Sequence, residues 1–109
     1  MELVARLVML DGQPVLHVSG EIDLATLPVF RDHLLRAVVE QPGATLVVDL
    51  DGVTALDDSG LGILLGAAAR ARETGGEVVV VCSHARLRER FALTRLDRAI
   101  TVRSGLAER

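Results

Sequence analysis

The chain has 109 residues, which is enough for one hydrophobic core and too few for a second. We therefore expect a single domain over residues 1–109. Half of the residues are hydrophobic and a quarter are charged, the composition of a folded globular protein. The net charge is −3, and the chain has two Phe and neither Trp nor Tyr. Nucleic-acid binding needs a basic surface and stacking aromatics, so we expect no direct nucleic-acid partner.

Cys82 is the only cysteine, and it follows a run of four valines at 78–81. Burial in that run predicts an inert core thiol, and a single cysteine builds neither a disulfide nor a zinc site. The N-terminal residues lack a basic start before an apolar stretch, and no apolar run has the length needed to cross a bilayer. We expect a cytoplasmic protein with no membrane partner, no metal and no cofactor.

The first two strands are predicted to form a hairpin. Asp11-Gly12 lies between two apolar stretches, a pattern that favours a two-residue turn and hence antiparallel strands. In the second strand Leu16 and Val18 alternate with His17 and Ser19. This alternation predicts one face toward the core and one polar face, with His17 on the surface.

A helix and an interior strand come next. After Thr26, apolar residues recur at spacings of three and four, which predicts an amphipathic helix that begins at Ala25 or Thr26 and carries Pro28 in its first turn. The apolar run Leu46–Leu50 then predicts an interior strand that Asp51-Gly52 ends.

The second half of the chain continues the alternation of helices and strands. A second helix is expected over Leu61–Glu73, with Ser59 as its N-cap. A strand over Glu77–Cys82, a third helix capped by Ser83 and an edge strand over Ile100–Val102 complete the order. This order predicts an α/β fold, a four- to five-stranded mixed sheet with three or four helices packed against it. An antiparallel start would be followed by parallel strands joined by right-handed crossovers.

Residues 53–65 carry the most chemical information. Asp57 and Asp58 precede Ser59 at a helix start, and nearby glycines leave the backbone open to another molecule. Apolar residues surround the helix start on nearly all sides, so we expect some of them to be exposed at a partner site. The alternative is a stabilising role alone, because Ser is a preferred N-cap and Asp favours the helix dipole.

Four segments resemble, in order and spacing, the pattern of STAS-domain anti-sigma factor antagonists. They are Gly20–Leu24, Leu46–Leu50, Asp57–Gly62 and Leu93–Asp97. The third segment is the most specific, because transporter-linked STAS domains usually lack its phosphorylatable Ser and are joined to membrane spans. The resemblance covers nearly the whole chain.

This resemblance implies a phosphorylation switch at Ser59. An anti-sigma factor serine kinase, expected as a partner in its ATP- or ADP-bound form, would phosphorylate Ser59 with ATP as the phosphate donor, and a PP2C-type phosphatase would remove the phosphate. The unphosphorylated protein, expected to be a monomer when alone, would bind the kinase and release the sigma factor. The residues expected to contact the partner are Asp23, Asp57, Asp58, Gly60, Leu61, Gly62 and Ile63. For Asp23 a turn residue before the first helix is an equal alternative.

Two positions depart from the family pattern. Asp58 stands where many relatives carry a second Ser, which leaves Ser59 as the single acceptor and adds a charge. Arg95 stands where relatives often carry Gly with a positive φ. If the backbone is the same, Arg at this position costs about 1 kcal/mol.

Two other classes of function compete with the switch. An enzyme is disfavoured because Ser59 lacks the Gly-x-Ser-x-Gly setting and the three histidines fall at surface or cap positions, so we expect no catalytic residues. A STAS scaffold subunit of a lipid-transport or stress-sensing complex would keep the fold without needing phosphate turnover on Ser59.

Overall fold

The computed structural model describes residues 2–106, which form a five-stranded sheet and four helices. The strands are β1 (Leu3–Leu10), β2 (Gln13–Ile22), β3 (Thr45–Leu56), β4 (Glu77–Val81) and β5 (Thr101–Arg103); the helices are α1 (Leu27–Glu40), α2 (Asp58–Arg72), α3 (Ala85–Leu93) and α4 (Leu96–Ala99). The strands lie in the sheet in chain order, β1 antiparallel to β2 and all other neighbours parallel. The predicted α/β fold with a mixed sheet is confirmed.

The hairpin between β1 and β2 turns at the expected pair. Asp11 and Gly12 have φ of 51° and 81°, the positive values that a two-residue type I′ turn requires at both positions. In β2, Leu16 and Val18 are buried and Ser19 is exposed, so the predicted alternation of faces is confirmed.

The main core lies between one face of the sheet and the helices. Right-handed crossovers between consecutive parallel strands carry every connecting helix to the same face. The largest fully buried side chains belong to this core: Phe30, Phe91, Leu16, Ile22, Leu34, Leu46, Leu50, Leu64 and Leu96. Each such side chain stabilises the fold by about 1.5–3 kcal/mol. Cys82 also lies in this core with no exposed surface, and burial raises the pKa of its thiol. Its predicted burial is confirmed.

Strand β3 is longer than the sequence indicated. The expected end at Asp51-Gly52 is wrong, because the strand continues to Leu56. Val53 and Leu56 are buried. Val53 pairs with Gly20 of β2 after one register shift in the β2–β3 ladder, and Leu56 pairs with Ile22 after a second. Burial of these two apolar side chains keeps the chain extended beyond the turn signal. As a result, β2 and β3 end side by side.

The β4–α3 connection also differs from expectation. The N-cap of α3 is His84 rather than Ser83. Ser83 instead donates two hydrogen bonds to Oδ1 of Asp51, one from its backbone N–H at 2.6 Å and one from its hydroxyl at 2.9 Å. Its side chain therefore fixes the loop to β3, which leaves the cap position to the next residue.

The C-terminal part adds a short helix that periodicity did not indicate. Arg95 precedes α4 with φ 62° and ψ 20°, in the left-handed region. The backbone thus keeps the conformation that Gly would favour, although Arg occupies the position. The last strand begins at Thr101, one residue later than predicted. None of the helices within residues 2–106 combines the length and apolar character that crossing a bilayer requires.

Candidate functional site

Two loops form the candidate site, one after β2 and one after β3. The backbone N–H of Asp57 donates to the carbonyl oxygen of Ile22 at 2.8 Å, which joins the two loops where their strands end. In open α/β sheets, binding sites form at the carboxyl ends of the strands. The segments 20–24 and 57–62 that carried the family resemblance therefore lie together.

Asp57, and not Ser59, is the N-cap of α2. Its backbone is extended, with φ −72° and ψ 147°, and its Oδ1 accepts a hydrogen bond of 2.8 Å from the backbone N–H of Ser59. The predicted capping role of Ser59 is therefore wrong. Asp and Ser are equally good caps, and the chain turns into the helix two residues earlier than expected. Ser59 lies in the first turn of α2 and is exposed.

The Asp57 carboxylate is held in its charged form. The pKa of Asp57 is lowered from 3.8, first by the hydrogen bond from the backbone N–H of Ser59 and then by the Ser59 hydroxyl, with a further contribution from the charge of Arg90. Desolvation acts in the opposite direction and is outweighed. At neutral pH the Ser59 hydroxyl therefore lies beside a carboxylate anion.

Arg90 of α3 also reaches this loop. Its guanidinium donates one hydrogen bond to the carbonyl oxygen of Leu56 and another to the carboxylate of Asp58. The Asp58 side chain is 81% exposed and that of Arg90 is 30% exposed. Sequence reasoning missed Arg90, because periodicity shows only that it lies off the apolar face of its helix.

Asp23 organises the β2–α1 loop. Its carboxylate accepts a hydrogen bond from the backbone N–H of Thr26 at 3.0 Å, and its own N–H donates to the Thr26 hydroxyl at 2.9 Å. The Asp23 carbonyl also accepts from the N–H of Leu27 at 2.9 Å. These bonds show that Asp23 is a turn residue at the start of α1, and its contact with a partner stays a prediction.

The remaining predicted contact residues divide into buried and accessible groups. Leu61 is only 5% exposed and packs in the main core, so the prediction that it contacts a partner directly is wrong, whereas Leu65 keeps 41% of its surface exposed. Gly60 is also buried, and a Cβ there would lie 2.7 Å from Cδ1 of Leu56. Gly62 is exposed with open space around it, and Ile63 is half-buried. The helix turns Gly60 and Leu61 toward the sheet and leaves Gly62 and Ile63 toward solvent.

A groove between α1 and α2 opens beside Ser59. It has a volume of about 480 Å³. Leu35 and Ile63 supply apolar surface to it, and Arg31 and Arg70 supply positive charge. Arg70 also pairs with Glu73 at 3.5 Å. The Ser59 hydroxyl thus lies at one end of an accessible surface of mixed polarity.

His17 has a partner that the sequence did not reveal. Its Nδ1 lies 2.7 Å from Oδ2 of Asp49, the residue opposite it in the β2–β3 register. The His17 side chain is still 32% exposed, so it lies at the surface as predicted. Within residues 2–106 no group of three His, Cys, Asp or Glu side chains is arranged to hold a metal ion.

Comparisons with known proteins agree with the fold. The family model of the STAS domain matches residues 5–109. The anti-sigma-B factor antagonist of Listeria monocytogenes is 33% identical over 87 residues, 80% of this chain and 75% of that protein. The anti-sigma-B factor antagonist of Bacillus subtilis is 32% identical over 86 residues, 79% of this chain and 77% of that protein.

Among solved structures, an anti-sigma factor antagonist from Mycobacterium paratuberculosis is similar over 96% of this chain and 88% of that chain. Its TM-score is 0.87 and its sequence identity 30%. The family model and the backbone comparison therefore both match this chain over nearly its whole length. This chain belongs to the STAS domain family.

Proposed function

We propose that this chain is an anti-sigma factor antagonist whose switch residue is Ser59. In the unphosphorylated form it binds an anti-sigma factor kinase and thereby releases the sigma factor. Phosphorylation of Ser59 ends that binding, and a PP2C-type phosphatase restores it. The observation that carries the proposal is the exposed Ser59 hydroxyl in the first turn of α2, beside the Asp57 carboxylate, in a chain whose relatives are named anti-sigma factor antagonists.

The position of Ser59 suits a switch that changes binding without changing the fold. A phosphate adds about −1.5 to −2 charges. The positive end of the α2 dipole stabilises that charge within the protein, whereas a partner fitted to the unmodified loop has to desolvate or repel it. Unit charges about 4 Å apart interact by about 1 kcal/mol in water and about 4 kcal/mol near a protein surface. Partner affinity then falls by roughly ten- to a thousand-fold.

The accessible residues around Ser59 are the proposed contacts with the partner. Asp57, Asp58, Gly62 and Ile63 have surface that a partner can reach, and Asp23 shapes the adjacent loop. Gly60 and Leu61 act indirectly, because their burial fixes the first turn of α2. Gly62 has no side chain, so the backbone of a partner can approach α2 closely at this point. In the free protein the space next to Gly62 is empty, because a Cβ there would meet nothing within 4 Å.

Two measurements test this proposal. Incubation with a candidate kinase and ATP should add one phosphate to the intact mass of the wild type. The addition should be absent in Ser59→Ala and present in Ser19→Ala, which removes an exposed hydroxyl elsewhere. Calorimetric titration with the kinase and nucleotide should then show tight binding of Ser59→Ala and weak binding of the phosphorylated wild type. Equal affinities of the phosphorylated and unphosphorylated forms would instead favour a scaffold role.

A further inference from the structure

Arg90 contacts the residues on both sides of Asp57. Its Nη1 donates to the carbonyl oxygen of Leu56, the last residue of β3, and its Nη2 donates to Oδ1 of Asp58, the first residue of α2. One guanidinium from α3 thus spans the point where the strand becomes the helix.

Arg90 also sets the charge balance next to Ser59. The two residues before Ser59 both carry carboxylates, and that of Asp57 accepts the hydrogen bond from the backbone N–H of Ser59. The guanidinium bonds one of them and attracts the other through space. Two negative charges and one positive charge leave the loop at −1, whereas the loop without Arg90 would stand at −2. A dianionic phosphate added to that loop would then meet two uncompensated carboxylates.

Two other arginines, Arg31 and Arg70, line the groove beside Ser59 but make no hydrogen bond to residues 56–59. Arg31 lies across the groove on α1 and has no hydrogen bond or ion pair within the described residues. Arg70 lies near the far end of α2 and pairs with Glu73. Arg90 is the cation bonded to the residue next to Ser59, and guanidinium groups bind phosphate with two parallel hydrogen bonds.

We propose that Arg90 is the positioning residue and the internal countercharge of the Ser59 switch. It ties the β3–α2 loop to α3 before modification, and it shares its guanidinium between Asp58 and the phosphate afterwards. The phosphorylated state is thereby held by a contact inside this chain, independent of any partner. This inference rests on the proposed function only in taking Ser59 as the site of the phosphate.

The test uses phosphoserine installed at position 59 during synthesis, so that no kinase is needed. The second ionisation of the phosphate, with an ordinary pKa of about 6, is followed by ³¹P NMR across pH 4 to 9. Arg90→Gln should raise that pKa by about 0.5 to 1 unit relative to the wild type, because a nearby cation favours the dianion. Arg88→Gln removes the same charge from an exposed position on the same helix and should leave the value unchanged.

Further variants separate the countercharge from a loss of structure. Arg90→Lys keeps the positive charge, so its phosphate pKa should lie close to that of the wild type. Asp58→Asn should lower the phosphate pKa more when Arg90 is present than in the Arg90→Gln background, because it releases the guanidinium as well as removing a like charge. An identical phosphate pKa in the wild type, Arg90→Gln and Arg88→Gln would overturn the proposal. A kinase that fails to bind or modify the protein would count against the proposed function and would leave this titration intact.

Discussion

The backbone N–H of Ser59 donates a 2.8 Å hydrogen bond to the carboxylate of Asp57. Because the cap belongs to Asp57, the stability of α2 and the proposed switch at Ser59 depend on different side chains. Asp57→Ala should lower the free energy of unfolding, since it removes the acceptor for a helix-terminal N–H. Ser59→Ala should change it by less than about 0.5 kcal/mol. Urea unfolding of both variants measures the difference, and a larger loss in Ser59→Ala would contradict the cap assignment.

The lowered pKa of Asp57 makes part of the stability depend on pH. In the folded protein this pKa lies below its ordinary value of 3.8, so the contribution is fully present above the unfolded value and is lost as the pH falls through the folded value. Asp57→Asn keeps a capping oxygen but does not titrate. The stability difference between wild type and Asp57→Asn should therefore be constant above about pH 5 and change below it.

Added salt provides the control for this pH dependence. The carboxylate keeps contact with solvent, so salt should reduce the charge component while leaving the hydrogen bond in place. Urea unfolding at several pH values, at low and at high salt, gives both quantities. A stability difference that stays flat down to pH 2 would show that the Asp57 carboxylate is not stabilised by its position at the cap.

Gly60 and Gly62 form a matched pair on α2. A Cβ at Gly60 would lie 2.7 Å from Cδ1 of Leu56 and 3.0 Å from Cγ2 of Ile22, both in buried side chains. Overpacking of this kind costs about 1–3 kcal/mol, of which the higher helix propensity of Ala offsets about 1 kcal/mol. Gly60→Ala should therefore destabilise the fold by about 1 kcal/mol.

Gly62→Ala should have the opposite effect on stability, because nothing lies within 4 Å of the added methyl group. The helix propensity of Ala then stabilises the fold by about 0.5–1 kcal/mol. Larger side chains at position 62 should weaken partner binding while the thermal midpoint stays near that of Gly62→Ala. Loss of folding in Gly62→Ala would show that this face of α2 is not free.

Arg95 offers a simple route to a more stable protein. Its φ of 62° lies in the left-handed region, which an L-residue with a Cβ adopts at a cost of about 1–2 kcal/mol. Arg95→Gly removes that cost but adds chain entropy to the unfolded state. The net gain should be about 1 kcal/mol in denaturant unfolding. Arg98→Gly, one turn later and within α4, should instead lose stability.

Local patterns predicted the elements of this fold well and the contacts of its site poorly. The alternation of apolar and polar residues correctly predicted the two faces of β2, and the Asp11-Gly12 pair correctly predicted the hairpin. Both signals depend only on residues that are close together in the sequence. The end of β3 was missed because Val53 and Leu56 gain their stability from pairing with β2, a distant part of the chain. Such tertiary burial overrides a local turn signal.

The site illustrates the same division. Sequence alone predicted a candidate site at Ser59 and its acidic neighbours. It placed the cap of α2 two residues late, because helix ends are the least defined part of a periodic pattern. It could not find the Arg90–Asp58 pair or the His17–Asp49 pair. Each joins residues 32 positions apart, and only the register of the sheet and the packing of α3 bring them together.

The consecutive order of the strands has a consequence for how the protein folds. Every strand from β2 to β5 pairs with the strand that precedes it in the chain. Each added strand therefore closes one loop of modest length, and closing such a loop costs little conformational entropy. The β1–β2 hairpin is complete before α1 is synthesised, and β3 adds to a template that already exists. The chain is therefore able to fold in the direction of its synthesis, with the three-residue strand β5 as the last addition.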